Sequence, residues 1–448
     1  MNEVASLPAS PALSTSATQS VSNRLISLDA LRGFDMFWIA AAEPLVEALG
    51  KMAHAGGHGG GFSLIGLVAY ELEHAEWQGF HFEDLIFPLF VFMAGMSIVF
   101  SLTKTIEREG RAAAVRRVIR RGILLYLLGI FAYGGFTEPW PHIRLLGVLQ
   151  RIGLCYMFTG LIFCFCKLRT MIAIAVGILI GYWALLQFVP IRNIQLQKDV
   201  LEQMAAKVGV AQMASLEAGG SIKNLEQFVA KHGKADDAQA LFYSTTNWVT
   251  GRFEPGLNLP NHIDFQYLPG YLWDKYYDPE GYLSTFPAIV TCLLGVFAAL
   301  LLLDPSRNDQ QKVVLLLAGG LVFVALGWAW GAQFPVIKKI WTSSYVLVAG
   351  GYSALLLAVF YLVVDMWKFQ WWCQPFVWMG MNSITIYMTD NILGGFGKLA
   401  ERFVGGDINA WFENRLIGSG DLLGALVEMA LSFWFVYFLY RRKIFLRL

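Results

Sequence analysis

Charge is scarce in this sequence. Asp, Glu, Lys and Arg make up 15% of its 448 residues while 56% are hydrophobic, and mean hydropathy is +0.51. So apolar a chain cannot clothe itself in polar side chains, which excludes a soluble globular protein of this size. Neither sign of charge is in excess: 34 basic against 33 acidic residues leave a formal net charge of +1. A binder of phosphate backbones needs a concentrated basic surface outside the bilayer, so there is no reason to expect nucleic acid as a partner. Cysteine is sparse too. Cys155, Cys164, Cys166, Cys292 and Cys373 lie in apolar segments with no CxxC pair and no histidine cluster at zinc-ligand spacing, so neither disulfides nor a structural metal are expected. The run HAGGHGGG sets His54 and His58 four residues apart, but its glycines disfavour the helix that would bring both onto one ion. Residues 1–23 lack the apolar core of a signal peptide and are expected to form a disordered tail. No internal repeat is visible, which weakens the signature common among secondary transporters.

Long hydrophobic runs are what the sequence does have. A bilayer core of ~30 Å takes roughly 20 helical residues. Windows of that kind fall at 34–50, 84–103, 118–134, 145–166, 170–190, 281–303, 312–331, 343–364, 374–393 and 421–440. The expected fold is therefore all-α, a polytopic integral membrane protein with about ten transmembrane helices. Between the second and third windows, KTIEREGRAAAVRRVIRR holds Lys104, Arg108, Arg111, Arg116, Arg117, Arg120 and Arg121, and the positive-inside rule makes this loop cytoplasmic. Lys167, Arg169, Arg307, Lys312, Lys368 and the final RRKIFLRL fall on the same side, so both termini are expected there. Four parts follow: a cytoplasmic tail 1–23, five spans in 24–190, an extracytoplasmic segment 191–280 and five spans in 281–448. The segment 191–280 is too long for a bare connection and has helical composition, which suggests a small helical cap. At its end, YYDPEG offers Asp278 as a helix cap followed by Pro279 in the first turn.

Ionisable residues inside spans are costly and usually face the bundle interior or a watery cavity. The first window carries Asp29, Arg32, Asp35 and Glu43 in or beside the membrane. Arg32 and Glu43, eleven residues apart, share a helical face about 16 Å from end to end. Asp29 and Arg32 are spaced for a local ion pair, whereas Glu43 has no obvious local partner. Arg151 in the fourth window wants a carboxylate or a phosphate. In the ninth, Trp378, Asn382, Thr385 and Thr389 align on one side of a continuous helix, with Asn382 the member that stands out as a site residue and the threonines as interhelical glue. At the outer end of the second window, HAEWQGFHFEDLIFP sets His74, Trp77, His81 and Asp84 close together. Read alone, His74 is an interfacial histidine, Trp77 an aromatic anchor and Asp84 a helix cap.

Five ordered blocks change that reading. RLISLDALRGFDMFW, HAEWQGFHFEDLIFPLFVFMAG, IRLLGVLQRIGLCY, YYDPEGYLSTFPAIVTCLLGV and FPVIKKIWTSSYVLVAGGYSALLLAVFYLVVDMW with its later MGMNSITIYM resemble, in sequence, the heparan-α-glucosaminide N-acetyltransferase family. The resemblance spans about residues 24–390. It implies transfer of acetyl from cytosolic acetyl-CoA, as co-substrate, to the amine of a glucosamine across the membrane. The family's active-site histidine sits in a block of the form H-x-x-W-x-G-x-x-x-x-D-L-x-F-P, which carries over to His74, Trp77, Gly79, Asp84, Leu85, Phe87 and Pro88, with His81 at a variable position. Where lysosomal members have an active-site asparagine, this chain has Glu43.

The expected site follows from that resemblance. His74, Asp84 and Glu43 would carry the catalysis; Trp77, Glu43 and Asp278 would meet the acceptor. Arg32, Arg116, Arg117, Arg120, Arg121, Arg151 and Asn382 would hold the coenzyme. An acyl transfer needs a base for the amine and donors for the developing oxyanion, and a histidine can act as that base or itself carry the acetyl group. The setting implied is a bacterial inner membrane, with lipid and a small amino sugar or oligosaccharide as partners and a homo-oligomer left open. Two other readings remain: a transporter of amino sugars, and an acyltransferase acting on an envelope polysaccharide.

Overall fold

The computed structural model describes residues 25–55, 64–137, 139–197, 239, 242–243 and 245–446. It begins with α1 (Ile26–Ala55) and the short α2 (Leu64–Glu71), then runs through α3 (Glu83–Glu109), α4 (Arg111–Ala132), α5 (Val148–Phe165) and α6 (Leu168–Phe188). An outer segment follows, in which β1 (Ile191–Arg192) pairs antiparallel with β2 (Trp248–Val249) ahead of α7 (Leu259–Tyr267). The second half comprises α8 (Thr285–Leu303), α9 (Asp309–Gly331), α10 (Ser343–Phe360), α11 (Gln374–Met381), α12 (Ser383–Leu393), α13 (Gly397–Val404), α14 (Asp407–Glu413) and α15 (Ser419–Arg441). The chain is an all-α polytopic membrane protein.

Seven helices among the described residues are long and apolar enough to cross a membrane: α3, α5, α6, α8, α9, α15, and α10 with its π-helical continuation Tyr361–Met366. The first and third windows correspond to α1 and α4, which are also long. Their charges, among them Asp29, Arg32 and Asp35 in α1 and four arginines from 116 to 121 in α4, set them apart from the seven.

Two expectations are corrected. The ninth window is two helices, because Asn382 leaves the helical conformation (φ −120°, ψ 21°) between α11 and α12. Trp378, Asn382, Thr385 and Thr389 therefore do not share one continuous helical face. Asp278 is no cap, since α8 starts at Thr285 behind Ser284; its carboxylate has a different partner, described below. Within the expected cap, α7 is helical but β1 and β2 are extended, and the LEQMAAK to KHG stretch lies outside the described residues.

Close backbone approach organises the bundle around α3. It crosses α8 at a glycine pair: a Cβ on Gly95 would lie 1.8 Å from the Cys292 carbonyl oxygen, and one on Gly295 would lie 1.8 Å from that of Phe92. Without hydrophobic drive between helices in lipid, such small-residue contacts let the backbones pack. Gly33 and Gly380 do the same for α1 and α11, with added Cβ atoms 1.6 Å from the Phe376 oxygen and 2.0 Å from that of Asp29. Around the crossing, Phe92, Met96, Val296, Tyr345 and Val348 are almost wholly buried. By contrast, Ile172, Val176 and Ile180 on α6, and Val314, Leu321 and Leu326 on α9, stay exposed, as apolar side chains facing lipid do. All five cysteines are free.

Candidate active site

Asp84 stands in the first turn of α3 with its side chain fully buried. Its two oxygens take different partners. Oδ2 accepts the backbone N–H groups of Ala75 and His81, each at 3.1 Å, so the residues before α3 wrap around the carboxylate. Oδ1 lies 3.1 Å from His74 Nδ1 and 3.3 Å from Lys338 Nζ. From below, the Tyr345 hydroxyl donates to the Asp84 carbonyl at 2.7 Å. A buried carboxylate with this many donors is held in one place.

Lys338 arrives from a distant part of the chain. Gly79 N–H donates to the Val336 carbonyl at 3.0 Å, and Gln78 and Ile337 form an antiparallel bridge. That stitch brings Lys338 Nζ to 3.1 Å from His74 Nδ1 and 3.5 Å from Nε2. The 333–342 segment is itself locked: Thr342 Oγ1 accepts the N–H of Ile337 at 3.1 Å and caps α10 through Tyr345 N, and the Trp341 indole donates to Thr291 at 3.1 Å. Burial pulls the Lys338 ammonium below the usual lysine range, against the opposing pull of Asp84, Glu83 and Glu280.

The arrangement separates the two histidines. With Nδ1–H donated to Asp84, the imidazole of His74 keeps its lone pair on Nε2, 3.5 Å from Lys338 Nζ, and its side chain is 58% exposed. His81 instead places Nδ1 at 2.9 Å from the Glu73 carbonyl and packs its ring on Tyr70 at 4.2 Å. Only its backbone reaches Asp84. The Trp77 indole donates to the Phe253 carbonyl at 2.7 Å and meets Tyr277 edge-on, which ties the histidine segment to the outer segment.

Asp278 forms a buried cluster with two residues the sequence reading did not single out. Arg144 donates from Nε to Oδ2 at 3.3 Å and from Nη2 to Oδ1 at 3.0 Å, and reaches Glu280 at 2.7 Å. Its guanidinium also lies 4.6 Å from the Tyr133 ring and 4.9 Å from that of Trp273. Burial, then the neighbouring Asp278, pushes the Glu280 carboxyl up to about 7. Arg151, expected to meet the coenzyme, is fully buried instead, donating to Gly281 O and Ser284 Oγ with its guanidinium 4.9 Å from the Trp341 ring. It braces α5 against the turn before α8.

A cavity of about 590 Å³ runs between α1, α3, α4, α5, α11 and α12. Four cations line it, Arg32, Lys104, Arg117 and Arg121, with Asp29 beside Arg32; Phe87, Phe90, Leu125 and Ile152 are among its apolar residues, and Ser97, Ser101, Ser383 and Tyr387 add hydroxyls. Arg32 donates to Ser97 Oγ at 2.8 Å and pairs with Asp29 at 3.6 Å. The four arginines of α4 from 116 to 121 are thus divided. Arg117 and Arg121 line this cavity, whereas Arg116 and Arg120 line a separate hollow of about 280 Å³ with Thr105 and Glu109, which Arg117 also borders. Gly380, Met381, Ser383 and Ile384 line the cavity around Asn382, which does not; its Nδ2 donates to the Trp378 carbonyl at 3.2 Å. His74 and Asp84 lie outside the lining, and Phe87, one turn beyond Asp84, is the cavity residue nearest them along α3.

Glu43 falls within α1, and its side chain lies outside the described residues, as do His58 and the side chain of His54. Asp35, which stood among the charges of the first window, is completely buried, and neither of its oxygens has a hydrogen-bond partner among the described residues.

The family model described as heparan-alpha-glucosaminide N-acetyltransferase, catalytic, matches residues 61–196. That range takes in His74, Asp84, the α4 arginines and Arg144, while Lys338 lies outside it. A mouse (Mus musculus) protein named heparan-alpha-glucosaminide N-acetyltransferase is 26% identical over 397 residues, covering 83% of this chain and 56% of its own. The human (Homo sapiens) protein of the same name is 27% identical over 407 residues, covering 83% and 55%. The chain spans about half the length of the curated relatives it matches.

Proposed function

We propose, from its similarity to proteins named heparan-alpha-glucosaminide N-acetyltransferase, that the chain belongs to their family and is a membrane acetyltransferase passing acetyl from acetyl-CoA to the amine of a glucosamine. The layout along α3 carries this reading. Asp84, with His74 on its Oδ1, stands at one end, and Lys104, beside Arg117 and Arg121, stands at the other. Twenty residues of helix between them measure about 30 Å, the thickness of a bilayer core. A coenzyme with phosphates on one side of a membrane and its acetyl group deep inside it needs both ends.

The cavity's cations suit the coenzyme's phosphates, and its apolar wall suits the pantetheine arm. At the far end, His74 Nε2 takes a proton from the acceptor amine as the new C–N bond forms. The C–S bond then breaks, and the proton passes to the departing thiolate. The same nitrogen can first accept the acetyl group itself, with the amine displacing it in a second step. Both routes need the imidazole held by Asp84.

The test is incubation of the purified protein with acetyl-labelled acetyl-CoA and a panel of amino sugars. Label on glucosamine nitrogen is the expected result. Failure of wild-type protein to acetylate any amine, with amino-sugar uptake into liposomes instead, would replace this reading with a transporter.

A further inference from the structure

We propose that Lys338 is a further catalytic residue, its ammonium donating a hydrogen bond to the acetyl carbonyl oxygen as negative charge gathers there. The inference rests on the acetyl-transfer reading and adds to it the oxyanion donor that such chemistry requires.

Geometry is the first argument. Nζ lies 3.1 Å from His74 Nδ1 and 3.5 Å from Nε2, the nitrogen that holds the lone pair when Nδ1–H points to Asp84. An acyl carbon bonded to Nε2 carries its oxygen about 2.4 Å from that nitrogen by ordinary bond lengths. A donor at the observed separation reaches such an oxygen at normal hydrogen-bond length when the carbonyl is turned toward it. When Nε2 instead takes a proton from the amine, the oxygen lies farther out, and a lysine's four-carbon stem can follow it. The Lys338 side chain is 22% exposed, so it borders space and is not sealed in the core.

Charge is the second argument. The groups facing Lys338 are Asp84 and Glu83 from α3, His74 from the segment before it, and Glu280 from the turn before α8. On its own segment, the neighbouring Lys339 is engaged by Asp274 at 3.2 Å. Asp84 can satisfy His74 and Lys338 together because Oδ2 is already filled by two backbone N–H groups and Oδ1 faces both. During transfer, the carbonyl π pair moves onto oxygen as the C–N bond forms and returns as the C–S bond breaks. The amine's proton leaves through His74 to the thiolate, and Lys338 keeps its own proton throughout.

A lysine in this role must be protonated. Turnover is then retained below its titration and lost as pH rises through it, at a pH below the usual lysine range because burial weakens the ammonium. Arginine does not deprotonate in proteins, so an arginine at this position moves that alkaline fall upward. The experiment measures kcat and KM against pH for wild type, Lys338→Met and Lys338→Arg. Expected are a loss of about 10²–10³ in kcat for Lys338→Met with KM for acetyl-CoA little changed, and a partly active Lys338→Arg whose alkaline fall lies at higher pH. A Lys338→Met enzyme with wild-type kcat overturns the proposal. So does a Lys338→Arg profile that falls where wild type falls, which decides the matter even where Lys338→Met does not fold. Either result with an active wild type leaves the acetyl-transfer reading standing; a wild type without turnover removes both.

Discussion

A buried carboxylate selects its partners, and Asp84 selects between two histidines seven residues apart in sequence. His74 meets it through the ring and His81 only through the backbone. His74→Ala should therefore lose about 10²–10⁴ in turnover, yet unfold near the wild-type temperature, because the side chain is 58% exposed. His81→Ala keeps the N–H that serves Asp84 and should lose far less, its cost being the contacts with Glu73 and Tyr70. Steady-state rates and thermal midpoints of both variants check this, and equal damage from the two would remove the ground for choosing His74. The histidine and its carboxylate were named from the sequence through the family block that both fall in, ten residues apart. Lys338 was not: its partner His74 is 264 residues away, and no local pattern encodes such a contact. One signal was available. Lys338 and Lys339 sit between the seventh and eighth windows, on the side that the positive-inside bias assigns to the exterior, where lysines need a reason.

At the scale of elements, the sequence showed helices wherever hydropathy was continuous and missed what depends on single backbone positions. Averaging over 374–393 hid the break at Asn382. Contact glycines were equally invisible, since one glycine in a helix looks like another until its neighbours are known. Gly95 and Gly319 make the contrast testable. A methyl at Gly95 would lie 1.8 Å from a carbonyl oxygen of α8, whereas one at Gly319 in the middle of α9 meets nothing within 4 Å. Gly95→Ala should lower the thermal midpoint sharply or abolish folding, while Gly319→Ala should hold or raise it, alanine being favoured in helices by about 1 kcal/mol. Comparable midpoints in the two would mean that the α3 and α8 backbones are not in contact as described. The basic stretch of α4 divides in the same way. Arg117 and Arg121 share the large cavity with Arg32 and Lys104, while Arg116 and Arg120 do not. Arg117→Gln with Arg121→Gln should raise KM for acetyl-CoA by roughly tenfold or more, since a charge-assisted contact is worth about 1.5–3 kcal/mol. Arg116→Gln with Arg120→Gln should change it little. Equal effects would make the cluster an orientation signal alone.

For the whole molecule, the two ends of α3 would set the direction of the proposed reaction. Glu83 and Asp84 begin the helix, Lys104 and Arg108 stand near its other end beside Glu107 and Glu109, and α4, which carries the arginine cluster, starts two residues after Glu109. In the orientation proposed from the bias of basic residues, that second end lies in the cytoplasm. His74 then faces outward, and the proposed coenzyme never has to cross: its phosphates stay with Arg117 and Arg121 while only the acetyl group is passed on. A coenzyme carrying several negative charges would pay dearly to traverse hydrocarbon, so on the proposed reading only the acetyl group passes from the cavity to His74, which lies outside its lining. In sealed vesicles of known orientation, product should form only when acetyl-CoA bathes the face bearing the arginine loop and glucosamine bathes the other. Adding glucosamine to the acetyl-CoA side alone should give none, and permeabilising the membrane should make placement irrelevant. Efficient acetylation with both substrates confined to the arginine-loop face would mean that the acceptor reaches the acetyl group from the cytoplasmic side, and the division of labour along α3 would have to be abandoned.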